Sequence, residues 1–267
     1  MESTDVASQL QPNGGAPLAR LTGKICVIAG AAGVIGAAAA ERMEREGGTV
    51  VGIDRIDQSV GALSLEADLT VEAEVEAAFA RIHGTFGHID VLLNNAGLND
   101  PSDHSALDMS LDTWTRVLTA NLTTTFLSCK HSIPYMLMND PPSGSVINTG
   151  SFLAEMGAAT SQMAYSVAKA GVIQLSRDLA TNLARRGVRV NALCLGPIET
   201  PQLRELFDSL PPEELPKRQI HYPMGRFGTL DEFAGTVAYL ASDDSGFVTG
   251  SSFPLNGGIT AAFTVPT

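Results

Sequence analysis

The chain has 267 residues, of which 44% are hydrophobic and 6% aromatic, and its formal net charge is −12. Such an acidic chain repels nucleic acid and anionic membrane surfaces, so no nucleic acid and no membrane is expected as a partner. The three cysteines lack CxxC spacing and the five histidines lack the spacing of metal ligands. This predicts buried thiols and no metal site.

Residues 1–20 are mostly polar and contain no apolar core segment. They match neither a signal peptide nor a transit peptide, and no run in the chain is long enough to span a bilayer. We therefore predict a flexible N-terminal tail over 1–20, a single domain over 21–267 and a cytoplasmic location.

Short apolar runs alternate with helix-forming segments from residue 24 onwards. The predicted strands cover 24–29, 49–54, 63–67, 89–94, 144–149, 188–195 and 250–255. The predicted helices cover 37–46, a segment that begins near Thr70, 111–136, 162–186 and 231–241. This alternation predicts an α/β fold: a single doubly wound parallel sheet, Rossmann-like, with helices on both faces. Ligands of such folds bind at the carboxyl ends of the strands.

The first strand leads into a glycine-rich turn, Gly30-Ala31-Ala32-Gly33-Val34-Ile35-Gly36. Such glycines let a pyrophosphate approach the N-terminus of the next helix, although a tight turn without a ligand has the same pattern. Asp54 ends the second strand, where a carboxylate accepts ribose hydroxyls and repels a 2′-phosphate. Its alternative is an ordinary turn residue. Although the adjacent Arg55 softens the preference, we expect NAD rather than NADP.

Tyr165 and Lys169 are four residues apart in a predicted helix, so their side chains share one face. A nearby ammonium favours the phenolate, which predicts a lowered pKa for Tyr165 and a role as general acid/base. The pair alone is weak evidence, because a solvated lysine beside a half-buried tyrosine gives the same spacing.

Further motifs accompany this pair in one order along the chain. They are the glycine turn, Asp54, Asp68-Leu69, Asn94-Asn95-Ala96-Gly97, Asn121, Ser151, Tyr165 with Lys169, Gly196-Pro197-Ile198-Glu199-Thr200 and Asn256-Gly257-Gly258. With these motifs, the chain resembles the classical short-chain dehydrogenases/reductases over residues 21–258.

The chain departs from the family pattern at a few positions, which are Ala29 for Thr, Val34 for the middle glycine, Gly150 for Ser and Leu195 for Pro. The resulting glycine spacing is similar to that of the extended branch of the family, which includes sugar epimerases. Only 98 residues follow Lys169, too few for the substrate domain of that branch. The resemblance therefore favours the classical type.

The resemblance implies four catalytic residues. Tyr165 is expected to donate or accept the proton, Lys169 to bind the nicotinamide ribose and lower the tyrosine pKa, and Ser151 to polarise the substrate oxygen. Asn121 is expected to hold a water in a proton relay. Ser151 and Asn121 also have plainer explanations, as a capping serine and as a side chain that satisfies a helix kink. The expected cofactor-binding residues are Gly30, Gly33, Val34, Ile35, Gly36, Asp54, Arg55, Asp68, Leu69, Asn95, Ala96, Gly97, Tyr165, Lys169, Pro197, Ile198 and Thr200.

The irregular, Pro- and charge-rich segment 201–224 is expected to form a lid over the substrate. Residues expected near this cleft are Leu98, Asn99, Leu153, Glu155, Met156, Met163, Leu203, Leu206, Phe207 and Tyr222. Apolar walls with few polar groups suit an alicyclic, steroid-like or sugar-derived alcohol. His221 is more simply explained as a surface residue of the loop, and Glu155 as a solvated one.

The sequence therefore predicts an NAD(H)-dependent oxidoreductase that interconverts a secondary alcohol and a ketone by hydride transfer. Two alternatives stay open: a non-catalytic dinucleotide-binding sensor or scaffold on the same fold, and an NAD-dependent epimerase. The two long helices carry apolar residues on more than one face, and family members pair these helices. A homotetramer is therefore expected, with a dimer as the fallback.

Overall fold

The structure, a computed structural model, describes residues 19–56, 59–157, 162–211 and 213–261. The predicted tail over 1–20 therefore lies almost wholly outside the described residues. Its last residue, Arg20, forms an ion pair with the buried Glu46, and Leu21 is fully buried. The ordered fold thus includes position 20.

Within the described residues, seven strands form one parallel sheet in the order β3-β2-β1-β4-β5-β6-β7. Their bounds are Ile25–Ala29 (β1), Thr49–Asp54 (β2), Leu63–Glu66 (β3), Val91–Asn94 (β4), Gly144–Ser151 (β5), Val188–Leu195 (β6) and Ser252–Leu255 (β7). The strand order reverses between β1 and β4, which places the expected ligand cleft at their carboxyl ends. The predicted fold class is confirmed.

Eight α-helices accompany the strands in the described part of the chain. Their bounds are Val34–Arg45 (α1), Glu72–Phe86 (α2), Leu111–Leu118 (α3), Thr124–Met136 (α4), Met163–Leu183 (α5), Pro201–Asp208 (α6), Glu214–Gln219 (α7) and Leu230–Ala241 (α8). None of these helices combines the length and the hydropathy that crossing a bilayer requires.

The hydrophobic core lies in two layers, one on each face of the sheet. One layer packs residues such as Phe79 of α2 and Leu127 of α4 against the strands. The other packs Met43 of α1 and Phe233 of α8 against the opposite face. The five inner strands are buried on both sides, which explains why most strands are continuous apolar runs in the sequence, whereas the edge strands β3 and β7 are only partly buried. The three cysteines are buried and unpaired, as predicted.

Two predicted segments differ from the structure. The helix predicted over 111–136 is interrupted by a π-helical turn, Thr119–Thr123, between α3 and α4. The segment predicted to be irregular over 201–224 instead contains α6 and α7. Thr200 caps α6 by accepting a hydrogen bond from the Leu203 amide at 3.2 Å, and Pro201 occupies its first turn, where a missing N–H costs nothing.

Candidate active site

A cleft of about 930 Å³ opens at the carboxyl ends of β1, β2 and β4. The predicted cofactor residues that line it are Gly30, Gly33, Val34, Ile35, Asp54, Arg55, Asp68, Leu69, Asn95, Ala96, Gly97 and Thr200. The cleft therefore lies at the reversal of strand order, where folds of this type bind their ligands.

Other predicted cofactor residues do not line this cleft. Gly36 lies behind the turn, where a Cβ would be 2.4 Å from the carbonyl oxygen of Gly30. Pro197 borders a separate cavity of about 70 Å³. Ile198 is buried and pairs with Gly228 in an isolated β-bridge. Gly36 is thus a packing residue of the turn.

The glycine turn leaves the N-terminus of α1 open to the cleft. Gly30 has a φ of +89°, and a Cβ there would be 2.4 Å from the backbone nitrogen of Ala96. Gly33 is the N-cap of α1 and provides no side-chain bond to the helix amides. The first N–H groups of a helix have no partner within the helix, and glycines let the backbone come close to a ligand. Such a helix N-terminus suits a pyrophosphate. Val34 begins the helix with no conflict, so replacing the middle glycine does not disturb the turn.

Asp54, at the end of β2, and Asn95, just after β4, hold this turn in place from the two strands that flank β1. The Asp54 carboxylate accepts hydrogen bonds from the amides of Ala32 at 2.9 Å and Arg55 at 2.7 Å. The Asn95 side-chain amide donates to the carbonyl oxygen of Gly30 at 2.9 Å. Asp54 therefore acts as a turn residue, the plainer of its two interpretations, and also lines the cleft.

The four predicted catalytic residues come together beside Gly97. The Tyr165 phenol is close enough to Ser151, at the end of β5, for the serine side chain to lower its pKa. The Lys169 ammonium is 5.6 Å from the centre of the Tyr165 ring and donates to the Thr149 carbonyl oxygen at 2.8 Å. A Cβ on Gly97 would be 2.8 Å from Asn121 Oδ1 and 3.7 Å from Lys169 Nζ. Gly97 also lines the cleft, so the catalytic cluster adjoins it.

Burial sets the charge state of this pair. Burial raises the pKa of Tyr165 above its ordinary value, and the Ser151 side chain opposes that rise. Burial also lowers the pKa of Lys169 to about 8, with a smaller opposing effect from Cys194. The predicted lowering of the Tyr165 pKa is therefore wrong for this structure, because burial disfavours the phenolate more than the Ser151 side chain favours it.

Asn121 lies inside the π-helical turn and is fully buried. Its side-chain amide donates to the carbonyl oxygens of Val117 at 3.0 Å and Leu98 at 2.9 Å, while its Oδ1 accepts from the Leu98 amide at 3.2 Å. The side chain thus satisfies backbone groups at the interrupted helix, as the plainer interpretation required. Single π turns of this kind often mark functional sites.

The helices of the predicted lid pack through aromatic side chains. The ring centres of Phe207 and Tyr222 lie 5.4 and 5.7 Å from that of Phe227, and the Arg218 guanidinium lies 5.7 Å from the Phe207 ring. Of the residues expected near the substrate, Leu98 lines the large cleft, whereas Glu155, Met156 and Met163 are exposed.

Sequence reasoning missed several residues at the cleft. Thr115, Arg116 and Thr119 of the α3 region line it, as does Gln202 at the start of α6. Thr115 and Thr119 are four residues apart, so they share one helix face, and this spacing was the available signal. Nothing in the sequence indicated Gln202, because its segment was not predicted to be helical.

Comparisons with known proteins identify the relatives of this chain. A family model described as enoyl-(acyl carrier protein) reductase matches residues 30–260. The chain is 35% identical to 2-(S)-hydroxypropyl-CoM dehydrogenase 3 of Xanthobacter autotrophicus over 257 residues, covering 91% of this chain and 98% of the relative. It is 35% identical to cis-4-hydroxycyclohexanecarboxylate dehydrogenase of Sinomonas cyclohexanicum over 249 residues, 89% and 97% of the two chains. The crystal structure of levodione reductase superposes with a TM-score of 0.83 at 30% identity, covering 91% and 100%.

The chain belongs to the classical short-chain dehydrogenase/reductase family. It is an oxidoreductase of that family, which acts on CH–OH groups with a nicotinamide cofactor.

Proposed function

We propose that this enzyme interconverts a secondary alcohol and a ketone with NAD(H), using Tyr165 as the general acid/base. The observation that carries the proposal is the cluster of the half-buried Tyr165 with the buried Ser151 and Lys169, next to the cleft. A sensor or scaffold has no physical need of this buried cluster. An epimerase is disfavoured because relatives that the chain matches over almost their whole length are named as dehydrogenases.

The residues of the cleft fit a dinucleotide. The open N-terminus of α1 would bind the pyrophosphate, Asp54 the adenosine ribose, and Asp68 and Leu69 the adenine. When bound, the nicotinamide supplies or accepts the hydride. Reduction of a ketone increases negative charge on its oxygen, and two hydroxyl donors, those of Tyr165 and Ser151, would stabilise it there.

The proton balance follows from the tyrosine. In ketone reduction, Tyr165 gives its phenolic proton to the substrate oxygen, so it must be protonated. In alcohol oxidation, the phenolate takes that proton. Because burial raises the pKa of Tyr165, reduction has the reactive form at neutral pH, and oxidation gains it as pH rises.

Asp54 supports a preference for NAD over NADP. Its carboxylate lines the cleft at the end of β2, where it would repel a 2′-phosphate. Arg55 borders the same cleft, and its charge would reduce the preference without reversing it, because the carboxylate is held in place by two backbone amides.

Relatives that are named for small hydroxylated substrates support a compact alcohol as the substrate. The apolar rings of Phe207 and Tyr222 in the lid favour a ring or hydrocarbon body. We include in this proposal the broader range of alicyclic, steroid-like and sugar-derived alcohols.

We further propose a homotetramer in the cytoplasm, with a dimer as the smaller alternative. Leu111, Phe126 and Val167, on α3, α4 and α5, are large apolar residues that are 78%, 47% and 45% exposed in the single chain. Association of these helices with a second copy would remove that surface from water. Light scattering during gel filtration tests it, and a monomer at micromolar concentration would refute it.

Turnover by wild type and Tyr165→Phe tests the central proposal. A panel of secondary alcohols and ketones is monitored by nicotinamide absorbance, with NAD(H) and NADP(H) side by side. We expect wild-type turnover with NAD(H), and at least about 100-fold slower turnover in Tyr165→Phe with little change in NADH affinity. Wild-type activity in Tyr165→Phe would remove this residue from the mechanism. NADH binding without turnover on the whole panel would favour the sensor.

A further inference from the structure

The carboxylate of Asp103 is attached to the catalytic helix at its first turn. Asp103 is only 2% exposed, although it lies in the loop between β4 and α3. Its Oδ1 accepts a hydrogen bond from the Ala164 amide and its Oδ2 accepts one from the Tyr165 amide, both at 2.9 Å. Both oxygens of a buried carboxylate thus bind the backbone of the catalytic tyrosine and of the residue before it.

Within the described part of the chain, neither the N-cap nor the first turn of α5 supplies a side-chain acceptor for these amides. Its N-cap, Gln162, makes no side-chain hydrogen bond to the helix amides, and the first turn contains no acidic residue. The first amides of a helix have no intrahelical acceptor, and an anion at that end also interacts favourably with the helix dipole. Asp103, some sixty residues earlier in the chain, supplies the missing acceptors.

The position of Asp103 is itself fixed from the other side of the loop. Its amide donates to the carbonyl oxygen of Asp100 at 2.9 Å. The Asp100 carboxylate accepts two hydrogen bonds from the Arg116 guanidinium, at 2.9 and 2.7 Å, and one from the Ser102 amide at 2.9 Å. Arg116 is on α3 and lines the large cleft. The turn at 100–103 therefore connects the helix beside the cleft with the first turn of α5.

We propose that Asp103 is a positioning residue for Tyr165, which holds the tyrosine backbone so that the phenol meets Ser151. Tyr165 is the third residue of α5, in the turn where an uncapped helix frays. Lys169 lies one turn further along and is held independently by its bond to the Thr149 carbonyl oxygen. Loss of the carboxylate therefore displaces the proton donor while leaving the lysine and the cleft in place.

The test compares Asp103→Ala, Asp103→Asn and a control, Asp108→Ala. Asp108 is an exposed carboxylate of the same loop, hydrogen-bonded to the Ser105 hydroxyl. Each variant is assayed for kcat and KM with a substrate that the wild type turns over, for NADH affinity by fluorescence, and for stability in urea.

For Asp103→Ala we expect kcat to fall by about 100-fold, because displacement of a reacting group by about 1 Å has an effect of this size. NADH affinity should stay within about twofold of wild type, since the effect is confined to the proton donor. Asp103→Asn retains one acceptor oxygen and should recover part of the lost kcat. Asp108→Ala should have the wild-type kcat.

Wild-type kcat in Asp103→Ala would overturn the proposal. So would an equal loss of kcat and NADH affinity, which indicates general disruption of the fold. If Asp103→Ala does not fold, Asp103→Asn replaces it, and a wild-type kcat in that variant is then the contrary result.

This inference rests on the proposed role of Tyr165, and the Tyr165→Phe variant separates the two. Activity in Tyr165→Phe would contradict the proposed function itself. An inactive Tyr165→Phe together with a fully active Asp103→Ala would contradict only the role of Asp103.

Discussion

Two glycines of the same turn have opposite structural requirements, and a matched pair of alanine substitutions should separate them. At Gly30, with φ of +89°, a Cβ would lie 2.4 Å from the nitrogen and 2.6 Å from the Cα of Ala96. Both atoms belong to the backbone of a neighbouring loop and cannot rotate away. At Gly33, φ is −73° and ψ is 157°, and no atom of the described residues lies within 4 Å of a Cβ.

The expected loss of stability in Gly30→Ala has two parts. A non-glycine residue in the left-handed region costs about 1–3 kcal/mol. Forcing a methyl group into a packed site costs about 1–3 kcal/mol more. The free energy of unfolding should therefore fall by about 2–6 kcal/mol, a large share of the 5–15 kcal/mol typical of a folded protein.

Gly33→Ala should behave differently in both respects. Its backbone angles are open to any L-residue, so alanine should leave stability unchanged or raise it by about 0.4–1 kcal/mol through the unfolded state. Because Gly33 lines the cleft, the added methyl group should weaken NADH binding by about tenfold, or 1.4 kcal/mol.

Urea denaturation at fixed protein concentration measures the first effect, and NADH fluorescence titration measures the second. With a denaturant dependence of about 3 kcal/mol per molar urea, the midpoint of Gly30→Ala should be lower by about 0.7–2 M. Equal midpoints for Gly30→Ala and wild type would refute the conclusion that Ala96 excludes a side chain there. Unchanged NADH affinity in Gly33→Ala would contradict a pyrophosphate at this turn.

Two further substitutions test the cofactor preference and the ion pair that attaches Arg20 to the fold. Asp54→Ala should raise the ratio of NADP to NAD turnover by about tenfold or more, because it removes the charge that repels a 2′-phosphate; an unchanged ratio counts against its ribose role. Arg20→Ala should lower the free energy of unfolding at pH 7 by about 2–3 kcal/mol, because Glu46 is buried and accepts two hydrogen bonds from Arg20, at 2.5 and 2.6 Å. The hydrogen bond with Arg20 lowers the pKa of Glu46, so this stabilisation is present above the unfolded-state pKa of about 4.3 and is lost as pH falls through the folded-state value. Urea denaturation curves at pH 7 and below pH 4 measure this stabilisation. Lys24→Ala is the control, because the partner of Lys24, Asp243, is 91% exposed and exposed ion pairs contribute about 0–1 kcal/mol. Equal losses of stability in Arg20→Ala and Lys24→Ala would be the contrary result.

The sequence was sufficient to predict the sheet and its alternating helices, because buried parallel strands are apolar on both faces and stand out as short runs. Tyr165, Lys169 and Ser151 were also recognisable, since their order and spacing match a family pattern. Local patterns failed where distant parts of the chain meet. The acceptors for the first amides of α5 come from Asp103, 61 and 62 residues away, and no periodicity indicates such a contact.

The π turn and the lid helices were missed for related reasons. Asn121 is a poor helix former, and its position was noted as unusual, but the two carbonyl oxygens that receive its amide belong to Val117 and to Leu98 in another loop. In the lid, α6 begins with a favourable cap at Thr200 and Pro201. The prolines of the segment argue against helices in the sequence, although one of them is in the first turn, where proline is well tolerated.

The direction of the Tyr165 pKa shows why burial matters as much as sequence spacing. The four-residue spacing indicated an ammonium near the phenol, and the structure has one at 5.6 Å from the ring centre. Yet the same helix face that brings Lys169 close also buries both groups, which favours the neutral phenol and lowers the pKa of the lysine to about 8. The protonated phenol is the form that donates to a ketone oxygen. For the proposed role of Tyr165 in alcohol oxidation, the phenolate is required, and its population increases as pH rises. If that role holds, burial of Tyr165 favours the form needed for reduction over the form needed for oxidation.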